Sequence, residues 1–87
     1  MNSNSTEDAI KLIVKAADFA AKAHRQQLRD DGINPYINHP IGVANILTDL
    51  GNVSDPAVIA AALLHDTVED TDVTFDDIQR EFGDHIR

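Results

Sequence analysis

The chain contains no cysteine, which excludes disulfides and thiolate metal sites and leaves the redox compartment unreadable from thiols. Long apolar runs are also missing. The longest, Pro56 to Leu64, covers nine residues, far short of the roughly 20 that a bilayer requires. No apolar stretch has the basic front and small-residue cleavage site of a leader. A cytoplasmic protein without membrane contact is the expectation. Bases are scarce as well, with 7 Lys and Arg against 15 Asp and Glu and a formal net charge of −8. Neutralising a phosphate backbone takes clustered Lys and Arg, so the charge argues against a general nucleic-acid binder. Strand-period alternation, internal repeats and low-complexity tracts are absent too, and an all-α fold is expected.

At 87 residues there is room for one small domain. Scaling rules for this size give about 63% of the unfolded surface hidden on folding, a modest share. Residues 1–5 read as a flexible terminus. Ser5 and Asp8 give a weak cap for a first helix running to about Gln27, with Ile10, Ile13, Val14, Ala17, Ala21, His24 and Leu28 at helical spacing. The stretch R-D-D-G-I-N-P (29–35) is a loop by turn chemistry. A second helix is expected from Pro40 to a stop at Gly51, with His39 biased to extended backbone by the following proline. Ser54 or Asp55 caps a third helix, with Pro56 in its first turn. Thr74 and Asp77 form a capping box for a fourth, which ends at Gly83.

The charge is uneven. Residues 1–45 carry five bases and five acids, whereas residues 46–87 carry two bases and ten acids. The third helix is apolar on every face, which predicts a central position. It runs straight into His65, Asp66, Glu69 and Asp70. Helical spacing continues its stripe to Asp66 and Asp70, and puts His65 and Glu69 on another face. An ionised carboxylate buried without a partner costs several kcal/mol or more, and a helix C-terminus is the wrong pole for anions, by roughly 0.3–1 kcal/mol each. A His-Asp pair at a helix end is ordinarily just a polar terminus. Here two more acids follow, and a second histidine, His39, opens another helix, so one divalent cation would relieve both costs. Imidazole with carboxylate suits Mn²⁺, Fe²⁺ or Zn²⁺. His24 reads as a packed histidine and His85 as surface.

H-D-T-V-E-D, with P-Y-I-N-H-P upstream, resembles the HD-domain phosphohydrolases, and more closely the hydrolase domain of the RelA/SpoT family, including its small animal members. The resemblance extends through A-A-D-F-A-A-K-A-H-R-Q-Q (16–27), P-Y-I-N-H-P-I-G-V-A (35–44), A-A-L-L-H-D-T-V-E-D-T-D (61–72) and F-G (82–83). It implies an HD-like helical bundle, here cut to about four helices, with residues 6–87 as the N-terminal portion of the hydrolase domain. It implies a Mn²⁺-dependent hydrolase that removes the 3′-pyrophosphate of guanosine 3′,5′-bis(diphosphate) (ppGpp), and animal members also act as NADPH phosphatases. Carried over by position, His39, His65 and Asp66 are metal ligands, and Glu69 and Asp70 position or activate the attacking water. Arg29, in His24-x-x-Gln27-x-Arg29, contacts the nucleotide. The family's fourth ligand, an aspartate in a later A-D-K-type segment, has no match up to Arg87. A non-catalytic product that keeps the helical scaffold is therefore the competing expectation. Helical faces left uncovered predict a chain that is partly molten, self-associating or dependent on a partner.

Overall fold

The computed structural model describes residues 3–28 and 31–83, with side chains from residue 6 onward. Arg29 and His85 lie outside the described residues. Five helical segments follow one another: α1 (Ser3–Ala23), α2 (Asn38–Asp49), α3 (Pro56–Leu64), the single turn α4 (Thr67–Asp70) and α5 (Phe75–Phe82). Among the described residues the one extended pairing is an isolated bridge between Leu28 and Pro35. The all-α expectation holds, with α4 as a turn that helical periodicity did not reveal.

α3 packs against both α1 and α2. Alanine makes this approach close: Ala16 and Ala20 on α1 and Ala60 on α3 are fully buried, and Ile59, Leu63 and Leu64 complete the α3 contribution. α5 closes one end by placing Ile78 and Phe82 in the same core, and the Phe82 ring meets Phe19 edge-on at 5.5 Å. Val58 is 45% exposed, so α3 is central but not covered on every face as its composition predicts. The accessible surface of 5864 Å² exceeds the roughly 5,000 Å² expected for a compact chain of this mass. Extents of 44 × 31 × 16 Å show why: the helices form a slab about one and a half helix diameters thick.

Local signals explain most boundaries. Asp55 caps α3, its Oδ1 accepting from Ala57 N–H at 2.9 Å, with Pro56 at the first helical position. Thr74 and Asp77 exchange both bonds of the capping box, at 3.0 and 3.1 Å. Three boundaries differ from expectation. α1 begins at Ser3 and stops at Ala23, because residues 24–27 tighten into a turn closed by Gln27 N–H on the His24 carbonyl. α2 begins at Asn38, so His39 is helical despite the proline after it. The turn before α2 sets this, with Asn38 N–H donating to Pro35 O and His39 N–H to Tyr36 O. At the other end of α2 the left-handed residue is Asn52 (φ 54). Gly51 serves for close approach instead, since a Cβ there would lie 3.0 Å from the Leu47 carbonyl oxygen.

Candidate functional site

The start of α2 and the end of α3 meet at one edge of the slab. His39 is the second residue of α2. His65 caps the C-terminus of α3, and Asp66 stands at the N-cap of α4, so the His-Asp pair occupies the bend between two helical segments. That bend is why three donors converge. Nδ1/Nε2 and carboxylate oxygens of His39, His65 and Asp66 lie within 4.8 Å of one another. Nε2 of His65 is 3.0 Å and Nε2 of His39 is 3.7 Å from Asp66 Oδ2. The Asp66 side chain is 15% exposed, and the two imidazoles are more open. The carboxylates therefore sit at the rim and not in the interior: Glu69 and Asp70 are both exposed.

The donor chemistry fits a cation. Nδ1 of His65 lies 2.7 Å from the Ala62 carbonyl oxygen, which can only accept, so Nδ1 carries the hydrogen. In the neutral ring Nε2 then presents a bare lone pair to Asp66 Oδ2. Two acceptors at 3.0 Å repel unless a proton or a cation lies between them. A backbone carbonyl that fixes tautomer and ring orientation is the usual outer support of a metal-ligating histidine.

Glu69 and Asp70 part company. Asp70 Oδ2 accepts from the Tyr36 hydroxyl at 2.9 Å, and the same hydroxyl lies 2.8 Å from Asp66 Oδ2. Glu69 instead lines a cavity of about 260 Å³ with His65, Phe75 and Ile78. The helical spacing of Asp66 with Asp70, and of His65 with Glu69, survives the break after Leu64. Burial first, and then hydrogen bonds to the two carboxylates, push the Tyr36 hydroxyl well above its usual range, which keeps it an O–H donor.

Tyr36 is the residue that sequence reasoning overlooked. A lone tyrosine three residues before His39 was a usable signal, because a partly buried phenol needs a partner for its hydroxyl. Its ring lies 4.7 Å from that of His24 and 5.9 Å from that of His39. His24 is packed, as expected, with 2% exposure. Its Nδ1 donates to Gln27 Oε1 at 2.8 Å, and Nε2 has no partner among the described residues. Beside Asp70 opens a cleft of about 730 Å³, within the size range of small-molecule sites. Lys22, Arg25, Gln26 and Gln27 form its wall on the α1 side.

A helical slab with His and His-Asp donors on successive helices is the arrangement of a metal-dependent HD domain, and the HD-domain family profile matches residues 16–87. The chain belongs to the HD-domain family. It is 57% identical over 77 residues to the guanosine-3′,5′-bis(diphosphate) 3′-pyrophosphohydrolase MESH1 of Xenopus tropicalis, a match covering 87% of this chain and 43% of that protein. The human protein of the same name is 58% identical over 76 residues, covering 86% and 42%. A probable guanosine-3′,5′-bis(diphosphate) 3′-pyrophosphohydrolase of Synechocystis is 51% identical over 73 residues, covering 84% of this chain and 9% of its own. Among solved structures, a metazoan orthologue of SpoT that hydrolyses ppGpp superposes with a TM-score of 0.82 at 43% identity, covering 86% of this chain and 43% of the other. The chain spans less than half the length of these animal relatives. No described helix is long and apolar enough to cross a membrane.

Proposed function

We propose that this chain supplies the metal-binding part of a ppGpp 3′-pyrophosphohydrolase acting in the cytoplasm, with Mn²⁺ held by His39, His65 and Asp66. The observation that carries the reading is the convergence of His39, His65 and Asp66, whose ligand atoms lie within 4.8 Å of one another, with His65 Nε2 3.0 Å from Asp66 Oδ2. The names of the animal relatives point to the same substrate. A bound divalent cation would supply Lewis acidity to a phosphoryl oxygen and acidify a water.

The side chains do the rest. Asp70, exposed and sharing the Tyr36 hydroxyl with Asp66, would take a proton from the attacking water as general base. Glu69 is one helical step away and would act on the opposite side of His65. Water would attack the phosphorus bonded to the ribose 3′ oxygen, the P–O(3′) bond would break, and GDP and pyrophosphate would leave. Arg29 belongs to this reading as a nucleotide contact: its planar guanidinium can stack on a base or pair with phosphate. The cleft beside Asp70 has the volume for the nucleotide, and Lys22 and Arg25 bring positive charge to its wall. The exposed apolar side chains would support self-association.

The test is pyrophosphate release from ppGpp, and phosphate release from NADPH, with added Mn²⁺, comparing this chain with Glu69→Gln and Asp70→Asn. Mn²⁺-dependent turnover that Asp70→Asn lowers by two orders of magnitude or more supports the reading. Equal, background-level rates in all three would show that the chain is a non-catalytic scaffold.

A further inference from the structure

The H-x-x-Q pattern in the turn just after α1 has no role in the chemistry above, yet it is packed and hydrogen-bonded against the site. His24 is buried, its Nδ1 tied to Gln27 Oε1 at 2.8 Å. Gln27 also accepts Tyr36 N–H on its backbone carbonyl at 2.9 Å. Leu28 and Pro35 bridge the same two strands of chain. The Tyr36 ring then lies against His24, at 4.7 Å between centroids and a tilt of 33°, and its other neighbour is His39 at 5.9 Å. The backbone bond holds the Tyr36 main chain against Gln27, and the two imidazoles flank its ring. What the ring carries at its far end is a hydroxyl within 2.9 Å of Oδ2 of both Asp66 and Asp70.

We propose that Tyr36 is a positioning residue for the cation site: His24 and Gln27 hold its ring, and its hydroxyl holds the Asp66 carboxylate facing His39 and His65 while keeping Asp70 beside it. The inference rests on the proposed metal reading and deepens it. A carboxylate has two oxygens and a nearly free terminal torsion. Among the described residues, Tyr36 is the neutral donor that selects Oδ2 of Asp66, the oxygen that also faces both imidazoles. Since a phenol has a single proton, the two acids compete for it. A cation on Asp66 weakens that oxygen as an acceptor and shifts the hydroxyl toward Asp70, so that cation binding also fixes the orientation of the acid that faces the water. Hydrogen-bond partners one step behind metal ligands commonly change metal affinity by 10–100-fold when removed.

The experiment is a Mn²⁺ titration by calorimetry on this chain and on Tyr36→Phe, which deletes one oxygen and keeps the ring, with Co²⁺ absorption spectra as a second readout. Ile13→Ala, which trims the packing of α1 against the core, serves as the structural control. The expected result is a loss of Mn²⁺ affinity of about tenfold or more in Tyr36→Phe, with a changed Co²⁺ visible spectrum and a helical circular-dichroism signal like the parent. Ile13→Ala should lower the melting temperature and leave affinity and spectrum in place. If the parent chain binds and Tyr36→Phe matches it within twofold with the same Co²⁺ bands, the positioning role is overturned and the metal site stands. If the parent chain binds no Mn²⁺, both fall together.

Discussion

Nε2 of His39 lies 3.7 Å from Oδ2 of Asp66, although one residue opens α2 and the other follows the end of α3. No local signal puts them together. They meet because α3 packs along α2 in the core, so the integrity of that packing and the geometry of the site are linked.

Leu63 is 4% exposed and belongs to the central cluster. Leu63→Ala should cost about 2–5 kcal/mol, a large part of the roughly 5–15 kcal/mol by which native proteins are typically stable. Urea unfolding followed by circular dichroism measures it. Loss below about 1 kcal/mol would show that α3 is not the centre of the core.

Asp77 gives a pH dependence with a definite sign. The Thr74 backbone N–H, then the Thr74 hydroxyl, hold the Asp77 carboxyl below its ordinary 3.8. The folded chain thus binds that proton less readily than the unfolded chain. The contribution is complete above pH 3.8 and disappears as pH falls through the lower folded value. Asp77→Asn should therefore lower the melting temperature at neutral pH, and the gap from the parent should close in strong acid. A gap that widens on acidification would contradict the capping geometry.

Uncovered apolar surface predicts association. Leu50 is 76%, Val14 60%, Ile10 58% and Ile46 56% exposed, on a slab 16 Å thick. Large contiguous apolar patches are uncommon on monomers, and these side chains are open to form one between copies. The apparent melting temperature should rise with protein concentration, and Ile10→Gln with Val14→Gln, or Ile46→Gln with Leu50→Gln, should flatten the rise. A sharp transition independent of concentration would count against it.

Asp55 is the sole side-chain cap found on α3. Asp55→Ala should cost about 1 kcal/mol, with Asp55→Asn nearly neutral. Equal losses in both would point to a role for the charge and not for the cap.

Much of this fold was legible because its punctuation is local. Asp55-Pro56, Thr74 with Asp77, and Gly83 mark helix ends through bonds between near neighbours, and the structure places those ends where they fall in sequence. Boundaries set by tertiary contact were harder to read. The rule that a residue before proline avoids the helical region put His39 outside α2, and the turn from Pro35 to Asn38 overrode it. The break after Leu64 is also invisible to periodicity, because His65 to Asp70 keep helical spacing across it. The triad was readable from residue types, as His and His-Asp on different helices. Tyr36 offered only the general signal of a lone tyrosine beside His39, because its contacts with His24, Asp66 and Asp70 are not encoded in sequence spacing.

The proposed function depends on one divalent cation held by His39, His65 and Asp66. Calorimetric titration with Mn²⁺ tests it most directly, alongside Asp66→Asn and His39→Ala. One cation per chain is predicted for the parent, with loss of binding in both variants and a melting temperature that rises with Mn²⁺ in the parent alone, by the equivalent of about 2.7 kcal/mol at a hundredfold excess over Kd. No heat in the parent, or undiminished binding once Asp66 or His39 is replaced, would contradict it.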